Sequence, residues 1–422
     1  MKLKLFFFLC LLNSVLGQSQ TFNDGVLEYT VIDATNNYVS VQSYDNICPT
    51  GNLVIPETVT DNSINYTVTE IAQFAFNACP NLISVSLPNS ITVINTAAFR
   101  NSSGLTTINL PNNLNRIEDQ GFSGCSSLIN VTFPAGLTSL RQRTFEDCTS
   151  LTNVSLPDSL NFVGFEAFKG CTSLTDVSLS NGMTNINSGL FYGCSSLINV
   201  TIPDSITSIS PFGFYGCTSL ITINLPSNLD VIWNRAFFGS TNLTNINFPN
   251  TLTSIGEQSF FNTNLNDINI PESVTTIDSQ AFQSCDNLTN VTVNWNIPLT
   301  IDVDVFANVT INNVSLTVPQ GTIPDYQAAA VWQDFGSFNE LSLTDFQLSE
   351  TIKLYPNPTS DFLKIDLDNA SEIKTVIIYN YLGQIISEEN TNKIDVSSYS
   401  KDIYFAKIET TKGKTTKKFI VE

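Results

Sequence analysis

Leucine recurs at a fixed interval through much of the chain, at Leu82, Leu105, Leu128, Leu151, Leu174, Leu197, Leu220, Leu243, Leu265 and Leu288. The interval is 23 residues at every step except one of 22. Six residues after most of these leucines stands proline, from Pro88 and Pro111 to Pro249 and Pro271, with Ser180 and Asn294 as exceptions. A second apolar column runs from Ile71 and Ile94 through Leu140 and Val163 to Ile277. Five residues beyond each of its members is phenylalanine: Phe76, Phe99, Phe122, Phe145, Phe168, Phe191, Phe214, Phe237, Phe260 and Phe282. Several columns at one period mark a stack of structural repeats. A unit this short cannot bury its own apolar side, so successive units must share one core.

Within a unit such as Leu151–Pro157, the alternation of Val154 and Leu156 predicts a short strand with one face inward. Proline then ends the strand, because it has no N–H to give the ladder. Strands of successive turns would run parallel, ~4.8 Å apart. The phenylalanines would pack behind that sheet, each contributing roughly 2–3 kcal/mol by burial.

The consensus Leu-x-x-Val-x-Leu-Pro-x-x-Leu-x-x-Ile-x-x-x-Ala-Phe-x-x-Cys resembles the 23-residue leucine-rich repeat of bacterial surface proteins of the BspA type. The resemblance covers residues 71–295. It implies a curved leucine-rich-repeat solenoid, with a parallel β-sheet on one face and mostly irregular or β structure on the other. It also implies a secreted or cell-surface protein engaged in adhesion and protein binding. Residues 18–70 would cap the first turn, with Leu53–Val59 as a degenerate repeat and Asn65–Ile71 as a hairpin return. Residues 296–346 would cap the last, with Tyr326, Trp332 and Phe335 plugging the open end.

Both termini carry address signals. Lys2 and Lys4 precede the apolar run Leu5–Leu12, and small residues before Gln18 suit cleavage, so residues 1–17 read as a secretory signal peptide. That run is too short for a bilayer, which needs ~20 residues, and no integral membrane segment is expected. Near Asp345 the charge balance changes: residues 19–345 hold 6 basic and 27 acidic side chains, and residues 346–422 hold 10 and 11. Residues 347–422 alternate as a small antiparallel β-sandwich. They open on Tyr355-Pro356-Asn357-Pro358, pass Gly383 and Gly413, and close on Lys418-Phe419-Ile420-Val421. This segment resembles the C-terminal sorting domain of type IX secretion substrates, with Asp402 where that family usually has glycine. The resemblance implies export by type IX secretion machinery to the outer surface or beyond.

Composition removes whole classes of chemistry. The chain has no histidine, so histidine-based catalysis, metal sites and pH switching are excluded. A net charge of −20 disfavours nucleic acid. No catalytic residues, cofactors or metal ligands are assigned, and a monomer is expected. Glu118-Asp119 and Glu146-Asp147 sit in variable loops and read as solvated charges, with loop calcium as the weaker alternative. Seven cysteines share one column: Cys79, Cys125, Cys148, Cys171, Cys194, Cys217 and Cys285, with Ser102, Ser240 and Asn262 elsewhere in it. They read as buried thiols acting as small hydrophobes, and Cys48 as free or paired.

The outward strand positions offer a polar, nearly uncharged face: Asn130, Asn153, Asp176, Asn199, Asn224, Asn245, Asn247, Asp267 and Asn269. Such amides and hydroxyls can hydrogen-bond a protein, a matrix or a glycan. A second variable surface carries Arg141, Arg143, Phe162, Phe165, Phe212, Tyr215, Trp233 and Arg235. The leading expectation is adhesion to a protein or matrix partner. Glycan capture or a structural surface coat is the alternative, and polysaccharide hydrolysis ranks last, for want of a carboxylate pair across the strand columns.

Overall fold

The computed structural model describes residues 20–341, 352–367, 372–410 and 413–422. The signal segment and the 346/347 boundary lie outside them. The chain divides into two compact units, Met1–Met183 and Thr184–Glu422.

The first unit begins with a β cap. Leu27–Asp33 pairs antiparallel with Tyr38–Ser43, which lies parallel to Ile64–Ile71. Ile64–Ile71 also forms the hairpin with Thr58–Asp61, and it hands Ile71 in register to Ile94. Gly51–Val54 lies parallel to Leu82–Ser86, as a degenerate repeat should. The cap therefore starts two sheets, one for each apolar column. In the leucine column Asn153–Ser155 lies parallel to Asp176–Ser178, with Val154 buried between exposed neighbours and Val177 between exposed Asp176 and half-buried Ser178. In the isoleucine column Ile94, Ile117, Leu140 and Val163 pair in register through two-residue strands. The far side of each turn is thus more regular than an irregular return would be.

The third edge of each turn is a tight bend around phenylalanine. Phe76, Phe99, Phe122, Phe145 and Phe168 are fully buried, and adjacent centroids lie 5.1–5.6 Å apart. In the second unit Phe191, Phe214, Phe237, Phe260, Phe282 and Phe306 continue at 5.2–5.6 Å. Each bend from Phe76 to Phe282 holds two residues at positive φ, two before and two after the phenylalanine, such as Gln120 and Gly124, Arg143 and Asp147, Arg235 and Gly239. That backbone aims alternate N–H groups at the next turn, as in Arg143 N to Phe165 O, Phe145 N to Ala167 O and Asp147 N to Lys169 O. Hydrogen bonds to the following coil offset the cost of left-handed non-glycine residues.

The cysteine column lies just beyond. Cys125, Cys148, Cys171, Cys194, Cys217 and Cys285 are buried and carry no disulfide. The thiols of Cys125, Cys148, Cys171, Cys217 and Cys285 donate to the carbonyl of the phenylalanine one coil earlier, as Cys125 does to Phe99 O (3.1 Å) and Cys217 to Phe191 O (3.3 Å). Ser102 and Ser240 make the same bond, to Phe76 O and Phe214 O. Two expectations need correction. Cys79 is not a free thiol but is disulfide-bonded to Cys48. The column opens there, so no earlier phenylalanine carbonyl awaits its proton. Asn262 is not the column member either: it is exposed at φ 55°, and Thr263 is buried in the slot with its hydroxyl against Phe260 O and Cys285 Sγ. The one-residue deletion falls after Thr263, not before it.

The last turn is closed by aromatic rings. The helix Ile323–Ala328 places Tyr326 inward, and Trp332 and Phe335 pack on Phe306. Tyr326 OH donates to Trp295 O and Trp332 Nε1 to Leu299 O, both at 2.7 Å, so the plug buries no orphaned donor. The C-terminal segment is an antiparallel sandwich. One sheet holds Lys353–Tyr355, Phe362–Asp366 and Lys393–Asp395; the other holds Ile385–Glu389, Ile373–Asn380, Asp402–Thr410 and Gly413–Val421. Leu363, Ile365, Val376, Ile378, Ile394, Ala406, Ile408 and Phe419 form its own core. No described helix is long and apolar enough to cross a membrane.

Candidate partner-binding face and sorting tail

Strand alternation decides which side chains reach solvent: the Val and Leu positions point inward, so the residues between them point out. In the first unit Asn130, Asn153 and Asp176 stand exposed in one paired column, and Ser155 pairs with Ser178 beside it. Thr152 Oγ1 donates to Asn130 Oδ1 (3.1 Å) and accepts from Asn153 Nδ2 (3.0 Å). Thr175 Oγ1 donates to Asp176 Oδ2 (2.6 Å). Local bonds of this kind orient the amides while leaving further donors and acceptors toward solvent.

In the second unit Thr222, Asn245, Asp267 and Asn290 pair in sequence, with Asn199 exposed on the strand Asn199–Thr201. Asn247 and Asn269 are exposed in the next column, and Asn224 is half-buried. Asn269 Oδ1 accepts from Asn294 Nδ2 (2.8 Å). Asp267 is exposed as a residue, yet partial burial of its carboxyl raises its pKa above the ordinary value. Asn199, Thr201, Thr222 and Asn224 share a shallow pocket of about 300 Å³ with Tyr381, Asp402, Ile403 and Phe405 of the tail.

The second variable surface is largely self-satisfied in the first unit. Arg141 lies 5.3 Å over Phe162, and Arg143 5.7 Å over Phe165. Arg143 also meets Glu166 (2.5 Å), and Lys169 meets Glu146 (3.1 Å). Glu118 lies 3.0 Å from Arg116 and 3.5 Å from Arg141. The two acidic pairs are therefore divided: Glu118 and Glu146 face cations, while Asp119 Oδ2 accepts from Gln142 Nε2 (2.7 Å). Among the described residues, no group of three or more Cys, Asp or Glu is placed to hold a metal ion. In the second unit Arg235 lies 5.9 Å over Phe212, and Trp233 is 48% exposed. Sequence reasoning picked out Tyr215 here but missed its column, Tyr192, Tyr215, Phe238 and Phe261, whose rings stack on one another. The signal was available, since each directly follows a core phenylalanine.

In the tail the motif residues meet at the C-terminal strand. Asn357 Oδ1 accepts from Ile420 N (2.9 Å), and Asn357 Nδ2 donates to Lys418 O (3.4 Å). Beside it Thr359 N donates to Ile420 O (2.9 Å), and Glu422 N donates to Thr359 O (3.0 Å). The opening motif thus clamps the closing one. Lys364 Nζ lies 5.3 Å over the Tyr355 ring. Partial burial lowers the Lys418 pKa, against the pull of Asp204. Gly383 sits apart from this clamp, at φ 75° in the turn that Asn380 Oδ1 holds from Leu382 N and Gln384 N. Gly413 opens the final strand, opposite Thr410. Asp402 starts its strand with its carboxylate accepting from Ile403 N (2.7 Å).

The BspA type leucine rich repeat region family matches residues 55–171, 139–239 and 207–327, in six copies. The secretion system C-terminal sorting domain family matches residues 353–422. Among solved structures, a leucine-rich repeat protein from Bacteroides ovatus is 25% identical over 76% of this chain and 76% of its own, with a TM-score of 0.56. The leucine rich repeat protein of T. pallidum is 30% identical over 48% of this chain and 91% of its own, with a TM-score of 0.43. The pneumococcal vaccine antigen PcpA is 19% identical over 77% of this chain and 99% of its own, with a TM-score of 0.48. No match is found among curated proteins. The chain belongs to the BspA-type leucine-rich repeat family and ends in a type IX secretion sorting domain, which makes it an exported repeat protein of the cell surface or the extracellular space.

Proposed function

We propose that this protein is a surface or secreted binding protein whose polar strand face engages a protein or matrix partner in adhesion. The observation that carries the reading is the register of Asn130, Asn153 and Asp176 in one unit, and of Thr222, Asn245 and Asp267 in the other. Each turn repeats an outward amide, carboxylate or hydroxyl at a spacing fixed by the backbone. A partner can thus meet a pre-organised array and lose little side-chain freedom on binding. The role is binding rather than catalysis, carried out by a monomer, and the tail serves delivery through the type IX machinery.

A glycan is the second reading. The array is rich in amides and hydroxyls and nearly free of charge, which suits sugar hydroxyls. Purified full chain, offered to surface proteins in a pull-down and to a glycan array, separates the two. Selective protein capture that falls with Asn153→Arg and Asn245→Arg supports adhesion. Sugar hits that fall with the same changes support glycan capture. Capture unaffected by either change would place the partner site elsewhere. Release of reducing sugar would overturn the non-catalytic role.

A further inference from the structure

In the second unit the residue after each stacked phenylalanine is itself aromatic. Tyr192, Tyr215, Phe238 and Phe261 form a half-exposed ladder beside the buried one. Successive centroids lie 4.5, 4.9 and 4.5 Å apart, and each pair of planes is within 3° of parallel. Backbone bonds between coils hold the rungs, with Gly193 N to Tyr215 O at 2.7 Å and Gly216 N to Phe238 O at 2.8 Å. Tyr192 and Tyr215 are the two phenols of the ladder, and burial together with the neighbouring Tyr192 phenol raises the Tyr215 pKa. Phe212 leans on both rings, 6.4 and 5.9 Å away, and covers one side of the pair.

We propose that Tyr192 and Tyr215 are an oxidative cross-linking site, coupled to dityrosine by hydrogen peroxide through a haem peroxidase or an equivalent one-electron oxidant. Each phenol gives one electron and its hydroxyl proton to the oxidant. The unpaired spin spreads to the ring carbons beside the oxygen. A carbon–carbon bond forms between one such carbon on each ring. The hydrogens those carbons carried pass through water to the two oxygens, which restores both phenols. Two tyrosines and one peroxide give one dityrosine and two waters. Coupling is second order in radicals, so two phenols held face to face gain the effective concentration of an intramolecular reaction. Phe238 and Phe261 have no hydroxyl to oxidise, so the link stops at one pair. The product would staple adjacent turns of the solenoid covalently on its solvent side.

The test treats the purified full chain, with its 12 tyrosines, with hydrogen peroxide and a haem peroxidase. The expected product is a monomer with dityrosine fluorescence, whose digest yields one dominant cross-linked pair carrying Tyr192 and Tyr215, lighter by two hydrogens. Tyr192→Phe, which keeps the ring and the stack, is expected to cut that product roughly tenfold or more. Phe238→Tyr is expected to add a second link, to Tyr215. Dityrosine found chiefly between chains would overturn the proposal. So would dityrosine found chiefly at Tyr399 and Tyr404, which lie 5.1 Å apart but tilted by 41°, or oxidation of the phenols without coupling.

Discussion

A phenylalanine at the bend is held by the rings above and below it, so its removal is felt by three turns. Phe237 lies 5.2 Å from Phe214 and 5.3 Å from Phe260, with no exposed surface. Phe237→Ala is expected to destabilise the protein by about 3–5 kcal/mol in urea unfolding, because backbone bonds to both neighbouring coils keep the cavity from collapsing. The cysteine column follows a different rule. Cys217→Ser is expected to change stability by less than about 1 kcal/mol, since Ser240 already makes the equivalent bond. Cys217→Val should cost about 0.5–1.5 kcal/mol, because the Phe191 carbonyl loses the thiol but keeps the Cys194 backbone N–H. Burial pushes the Cys125 and Cys285 thiols up from 9.0 to about 12. The folded state then holds protons that the unfolded chain releases, so this stability is complete below pH 9 and lost as pH rises toward 12. The slope is about 1.4 kcal/mol per pH unit per thiol, and unfolding curves at pH 8 and pH 10 should show it shrink in Cys125→Ser. The columns were legible in the sequence because stacking puts one kind of side chain in one place. Asn262 was misread because counting back from Leu265 hides a deletion that only the buried Thr263 reveals.

At the scale of elements, the sheet of the leucine column could be read from apolar spacing, but the two-residue strands of the isoleucine column and the left-handed bends could not. Ala97, Gln120, Arg143, Glu166, Phe212 and Arg235 share one backbone conformation and no side-chain chemistry. Hydrogen bonds to the next coil set their φ, so no residue type announces it. The Cys48–Cys79 bond was hidden for a related reason: only stacking order shows that Cys79 begins its column. The bond ties the cap to the first repeat across 31 residues. Changing both cysteines to serine is expected to lower stability by about 3–4 kcal/mol, through added freedom of the unfolded chain. Amide exchange should then rise first in Gly51–Val54 and Leu82–Ser86, the strands nearest the lost bond. Exchange that rises equally in Ser254–Ile255, far along the second unit, would instead mean that the repeats unfold as one block.

At the scale of the whole molecule, the sequence shows where the protein is sent more plainly than what it holds there. The sorting domain is structurally local: Asn357 is tied to the strand that ends in Val421, and the buried core residues of the domain all lie within it. The proposed partner face is legible only as a polarity pattern, because the residues that make the coils repeat are not the outward ones on which that proposal rests. The two roles should therefore separate genetically. Removing residues 352–422 is expected to leave the repeats folded, since among the described residues no tail side chain belongs to the phenylalanine stack, but to hold the protein in the periplasm. Asn357→Ala is expected to lower export in a graded way, because it removes the side-chain clamp while Thr359 keeps its backbone bonds to Ile420 and Glu422. Protease accessibility on intact cells, compared with the total in lysates, measures both. Undiminished surface display of the truncated chain would break the link between this domain and delivery, and display normal for Asn357→Ala but lost on truncation would move recognition away from the clamp to the remaining surface of the sandwich.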